Sequence, residues 1–171
     1  ENIGDVTLGL KDASGTADTL SVTLKGTSGH AAASNTIDLL TVSAIETLAL
    51  TSSFRGTTAL LAADTNTITS LAADTALTKI TAAGSDPLSF TMSGAETNLA
   101  SIDASAMTDV ATINVSNLTS NVSIKTGSED DLIVFGTTLN NLDTVDGGAN
   151  STDSTNVDVL TATVTGLTAT T

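Results

Sequence analysis

The side chains that could do chemistry in this chain are carboxylates, and they gather in one stretch, residues 126–160. Glu129, Asp130 and Asp131 form a tight acidic run. Asp143 and Asp146 bracket a second turn, which leads into Gly147 and Gly148, the only Gly-Gly pair of the chain. Asp153 and Asp158 follow. Carboxylates on glycine-bearing turns suit a hard cation held by oxygen ligands, and calcium is the first candidate. Adjacent carboxylates also repel one another, which a bound cation relieves. The candidate metal ligands are Asp130, Asp131, Asp143, Asp146, Asp153 and Asp158, with Asp131 foremost and a solvated turn acid the alternative at each.

Other chemistries are poorly supplied. The chain has no Cys, so disulfides and thiolate metal sites are excluded. His30, the single histidine, lies in a small polar stretch with no carboxylate or Cys beside it. Serines are plentiful, but no G-x-S-x-G is present, and one histidine is a meagre supply of general base. No catalytic residue is expected, and the chain does not read as an enzyme. The basic residues Lys11, Lys25, Arg55, Lys79 and Lys125 are scattered, which counts against a polysaccharide-cleaving groove.

Nineteen acidic residues stand against five basic ones, giving a net charge of -14. That field repels nucleic acid and anionic membrane surfaces, so neither is an expected partner. No apolar run is long enough to insert into a membrane. No signal peptide is visible, and any export signal is expected outside this window, since the chain starts at Glu1. With 40% hydrophobic residues and a positive mean hydropathy, the chain is expected to fold rather than remain disordered.

The elements that would position the acidic turns are short strands. The chain is rich in Thr, and β-branched residues favour strands. Trp and Tyr are absent and only three Phe occur, so the core must be narrow and filled by Leu, Ile, Val and Ala. Residues 5–10 and 19–24 alternate polar and apolar around a polar cluster at 11–15, which predicts an N-terminal hairpin. A small, polar loop follows to residue 35. From Ile68 onward, apolar anchors recur at Ile80, Phe90, Ile102, Ile113, Ile124 and Ile133, about every 11 residues. Strands at such a beat suit a solenoid with two short strands in each coil of roughly 20 to 24 residues. Helix is a weaker competitor at residues 57–64 and 93–100. The expected fold is all-β: a β-solenoid, like a parallel β-helix or β-roll. Residues 1–35 would form an N-terminal strand or hairpin cap, or an assembly strand. Residues 36–171 would form the solenoid, with calcium-binding turns near 126–160.

Residues 45–160 resemble the β-solenoid repeats of bacterial S-layer proteins in the calcium-binding repeats-in-toxin group. Phrases such as Ala44-Ile45-Glu46-Thr47-Leu48 and Ser101-Ile102-Asp103-Ala104-Ser105 carry the likeness. The nonapeptide of that group runs Gly-Gly-x-Gly-x-Asp-x-apolar. Here Gly127, Asp131 and Ile133 match it, while Thr126 and Glu129 stand at its first and third glycines. A second copy begins at Gly147-Gly148 and ends at Asp158 and Leu160. It is interrupted by about five extra residues, with Asn150 in place of the third glycine.

The resemblance implies a secreted, extracellular or cell-surface protein. It would be stabilised by calcium and self-assemble into a surface layer or filament, with itself as main partner and cell-surface polysaccharide as another. Two imperfect copies imply a few calcium sites rather than a long ladder. A calcium-dependent adhesin is the alternative. Ice binding ranks lower, because the Thr-x-Thr pairs do not recur at one coil spacing.

Overall fold

The computed structural model describes residues 1–26, 34–54, 65–94, 96–149 and 157–163. Thirteen strands lie among them, and no helix. They alternate between two sheets. Sheet A has the order β1 (Asn2–Gly9), β3 (Thr36–Ser43), β5 (Asn66–Ala73), β7 (Leu88–Met92), β9 (Ala111–Asn114), β11 (Leu132–Gly136) and β13 (Val159–Ala162). Sheet B stacks β2 (Thr19–Gly26), β4 (Thr47–Phe54), β6 (Lys79–Gly84), β8 (Ser101–Met107), β10 (Ser123–Lys125) and β12 (Thr144–Asp146) in the same sense. Every strand pair is parallel. Each coil is one strand of each sheet, so the chain is the expected β-solenoid.

Side chains alternate across each strand, and the apolar anchors all take the inward phase. Ile37, Ile68, Phe90, Ile113 and Ile133 stack in register in sheet A. Leu48, Ile80, Ile102 and Ile124 stack in sheet B. All nine are buried, and they face one another as a single core between the sheets. The 11-residue beat is thus half a coil. Ile68 pairs with Phe90 and Ile80 with Ile102, each 22 residues on.

One expectation is corrected. Residues 1–26 are not a hairpin: β1 and β2 lie in opposite sheets and form the first coil. A hairpin needs a tight antiparallel connection, whereas here β3 and β4 present parallel edges to which β1 and β2 each add. Residues 93–100, where described, form turns rather than a helix, because Glu96 draws in local donors. Residues 57–64 and His30 lie outside the described residues.

The solenoid narrows along its length. β1 to β5 each have eight residues, whereas β7, β9, β11 and β13 have four or five. A buried polar chain marks the step. Asn35 Nδ2 donates to Asn66 Oδ1 (3.0 Å), Asn66 Nδ2 to Ser52 Oγ (2.9 Å), and Ser52 Oγ to the Pro87 carbonyl (3.1 Å). Beside it, Gly84 adopts φ 136° and sits so close to β4 that a Cβ would fall 1.9 Å from Ser52 O. Only glycine fits such an approach.

Candidate metal centre

The two edges of the solenoid treat their carboxylates differently. At the turns leading from sheet A to sheet B, acids tie one coil to the preceding one and use both oxygens. Asp74 accepts from Ala44 N (2.8 Å) and Ala76 N (3.0 Å). The wholly buried Glu96 accepts from Ala73 N (2.8 Å), Ser93 Oγ (2.9 Å) and Gly94 N (3.0 Å). Asp143 accepts from Val122 N and Asn140 N, both at 2.8 Å.

At the opposite edge, one row of residues stands at or just before the start of the sheet A strands from β3 to β13: Asn35, Asn66, Leu88, Ala111, Asp131 and Asp158. Where the row residue of the next coil is apolar, the ladder continues through the main chain, as in Leu88 N to Val110 O (3.0 Å). Where it is Asp, a carboxylate oxygen replaces that carbonyl. Ala111 N donates to Asp131 Oδ1 (2.7 Å), and Asp131 N to Asp158 Oδ1 (3.0 Å). Asp158, in the same role one coil on, is part-buried, whereas Asp131 is 1% exposed.

Its second oxygen is left without a partner. Among the described residues, the buried side-chain oxygens lacking a hydrogen bond are Ser53 Oγ, Asp130 Oδ1 and Asp131 Oδ2. Two of the three therefore belong to neighbouring acids at this edge. Burial pushes the Asp131 carboxyl above the usual carboxylate range, and the nearby Asp158 charge adds to this. The Ala111 N–H opposes the rise most strongly, with smaller help from Thr126 and Gly127. That help stops short of a hydrogen bond to Oδ2, since the Thr126 hydroxyl donates to Gly147 O (2.8 Å).

The two motif copies stack one coil apart and in register. Ala149 N donates to Gly127 O (3.0 Å), Asp131 meets Asp158, and Ile133 pairs with Leu160. A Cβ on Gly147 would lie 2.5 Å from Asp158 Oδ2, and one on Gly148 would lie 2.1 Å from Gly127 O. Gly148 is thus fixed by close approach to backbone at a left-handed φ of 80°, whereas the contact at Gly147 is with the Asp158 side chain. Glu129, at the third glycine position of the first copy, holds the left-handed φ of 78° that favours glycine.

Of the six expected ligands, Asp131 and Asp158 meet at this edge, where Asp131 N donates to Asp158 Oδ1, and Asp130 precedes Asp131 in the chain. Asp143 lies on the opposite edge with both oxygens engaged. Asp146 is exposed at the end of β12 and pairs with Lys125 Nζ at 3.2 Å. The Gly148 N–H, then Lys125, hold its carboxyl below the usual range. Asp153 lies outside the described residues. Among the described residues, no three acidic or histidine side chains converge as a ready-made metal cage. The all-oxygen donor set and the two orphaned carboxylate oxygens nevertheless fit a hard cation, with turn carbonyls as the ordinary complement. Sequence reasoning missed buried Thr126 as a tie between the motif copies; its signal was its place at the first glycine of the motif. No family model, curated protein or solved structure matches the chain.

Proposed function

We propose that the chain is a structural, extracellular building block of a bacterial surface layer or filament, a self-assembling β-solenoid stabilised by calcium. The observation that carries this reading is the pair of buried, unpartnered oxygens on Asp130 and Asp131, where two motif copies meet in register. Asp131, Asp130 and Asp158 would hold the ion. Asp143 and Asp146, engaged elsewhere, act as turn ties. A bound divalent cation supplies positive charge and coordination to carboxylates that otherwise repel in a buried setting. Asp158 Oδ1, by receiving Asp131 N–H, docks the last coil onto the body, and Asp131 Oδ1 does the same one coil earlier. Neutralising these acids therefore stabilises coil stacking, and any ligand that binds only the folded state raises its stability.

Thermal melting with calcium and with excess chelator tests the reading, followed by electron microscopy of the same samples. Calcium should raise the melting temperature of the wild type but not of Asp131→Asn, and should favour ordered assemblies. An unchanged melting temperature in chelator would sink the calcium part. A protein that stays monomeric in calcium at every concentration would sink the structural part.

A further inference from the structure

Charge is distributed very unevenly over the two outer faces. In sheet B, five of the six strands carry a charged residue: Lys25, Lys79, Asp103, Lys125 and Asp146. In sheet A, strands β5, β7, β9, β11 and β13 carry none, in a chain of net charge -14. Their outward side chains form rows of hydroxyl, amide and aliphatic groups. One row runs Thr67, Ser89, Thr112, Leu132 and Val159. A second runs Thr91, Asn114, Val134 and Thr161. Val159 is 48% exposed, and Leu132 and Val134 are half-exposed beside it. Carboxylates bound the patch: Asp5 and Asp38 stand exposed on β1 and β3 of the same sheet, and the part-buried Asp158 and Asp143 lie in the turns at its two edges.

We propose that this charge-free face of sheet A is the lateral contact between copies of the chain. The inference rests on the self-assembly reading above and names the surface it uses. Sheets packed face to face stand about 10 Å apart, close to the screening length of about 8 Å in physiological salt. Two molecules of charge -14 approach that closely at the least electrostatic cost where the facing surfaces lack carboxylates. The five strands, at about 4.8 Å spacing and roughly 17 Å long, give a flat footprint on the order of 400 Å². That is about half the usual area per partner of a stable pairwise complex, so the contact acts through repetition in an array rather than as a tight isolated dimer.

The chain has no Cys, so single-cysteine variants report on the contact directly. Thr112→Cys lies at the centre of this face and Thr81→Cys on the outer face of sheet B; both positions are half-exposed. Under assembling conditions with mild oxidant, Thr112→Cys should form disulfide-linked pairs on the order of tenfold faster than Thr81→Cys, reflecting the raised effective concentration in a docked face. Thr112→Glu should lose assembly while keeping wild-type circular dichroism and melting, and Thr112→Val should assemble normally. Equal cross-linking at the two positions, or normal assembly of Thr112→Glu, overturns the proposal and leaves the self-assembly reading standing. A wild type that never assembles overturns both. Arrest of ice growth by monomers, abolished by Thr112→Glu, overturns the proposal in favour of a frozen-water surface as the occupant.

Discussion

Asp131 sets two requirements in opposition. Its Oδ1 completes the ladder at Ala111 N, so removing that acceptor should leave a buried N–H unpaired and destabilise Asp131→Ala by about 1–3 kcal/mol. Its Oδ2 is buried without a partner, so in chelator Asp131→Asn should be more stable than the wild type, by about 1 kcal/mol. Opposite signs for the two variants in denaturant melts would separate the roles; equal destabilisation would mean that Oδ2 carries no penalty. The same group sets a pH slope in metal-free protein. A carboxyl raised in the folded state binds its proton more tightly there than in the unfolded chain. Its contribution is therefore fully present below the ordinary carboxylate value near 3.9 and is lost as pH rises through the raised value. Wild type in chelator should lose stability over that window, and Asp131→Asn should flatten the decline. Glu129 offers an independent check. Its φ of 78° costs a non-glycine residue about 1–2 kcal/mol, against about 0.5–1 kcal/mol of chain entropy for glycine. Glu129→Gly should thus gain roughly 0.5–1 kcal/mol, while Glu129→Ala, which removes only the charge, should gain less; the reverse order would refute the strain argument.

At the level of elements, the sequence made the narrow half of the solenoid legible and the wide half less so. From Ile68 to Ile133 the anchors keep one beat because each strand holds few inward positions and each turn is short. Between Ile37 and Ile68, or Leu48 and Ile80, a coil is 31 or 32 residues long, and the beat dissolves into longer strands and connections. Alternation in residues 5–10 and 19–24 identified strands but could not choose partners, since pairing depends on edges supplied later in the chain. The acidic site was legible in its glycines and Asp131, but not in its division between edges. Whether an Asp replaces a main-chain carbonyl depends on its row, which only the fold fixes. Glu96 shows this most plainly: nothing in its neighbours marks it as buried, yet it caps the narrowing step. Gly84 belongs to that step too. Gly84→Ala should cost about 2–4 kcal/mol, because a Cβ would collide with Ser52 O on a strained backbone. Gly9→Ala, whose nearest neighbour would be Ser43 Oγ at 3.8 Å, should stay within about 0.5 kcal/mol. Similar costs at both sites, read by chemical denaturation, would mean that the close approach at Gly84 relaxes freely.

For the whole molecule, the net charge of -14 raises a rival account of any calcium effect, namely that divalent ions merely screen a self-repelling chain. The two accounts diverge in salt. Repulsion among exposed carboxylates is largely screened at high ionic strength, where the Debye length falls to about 3 Å at 1 M. A cation held by buried oxygens is screened far less, so its stabilisation persists. Sodium chloride alone should therefore stabilise the metal-free protein modestly and then saturate. Calcium added on top, at about a hundred times its dissociation constant, should still contribute about 2.7 kcal/mol. At roughly 2–4 °C per kcal/mol for a chain of this size, that is a shift of about 5–10 °C in melting temperature. Magnesium, which gives up its waters reluctantly and demands a stricter octahedron, should contribute much less. A calcium shift that disappears in 1 M sodium chloride, or that magnesium reproduces in full, would assign the effect to diffuse charge on the turns and not to the row that Asp131 and Asp158 share.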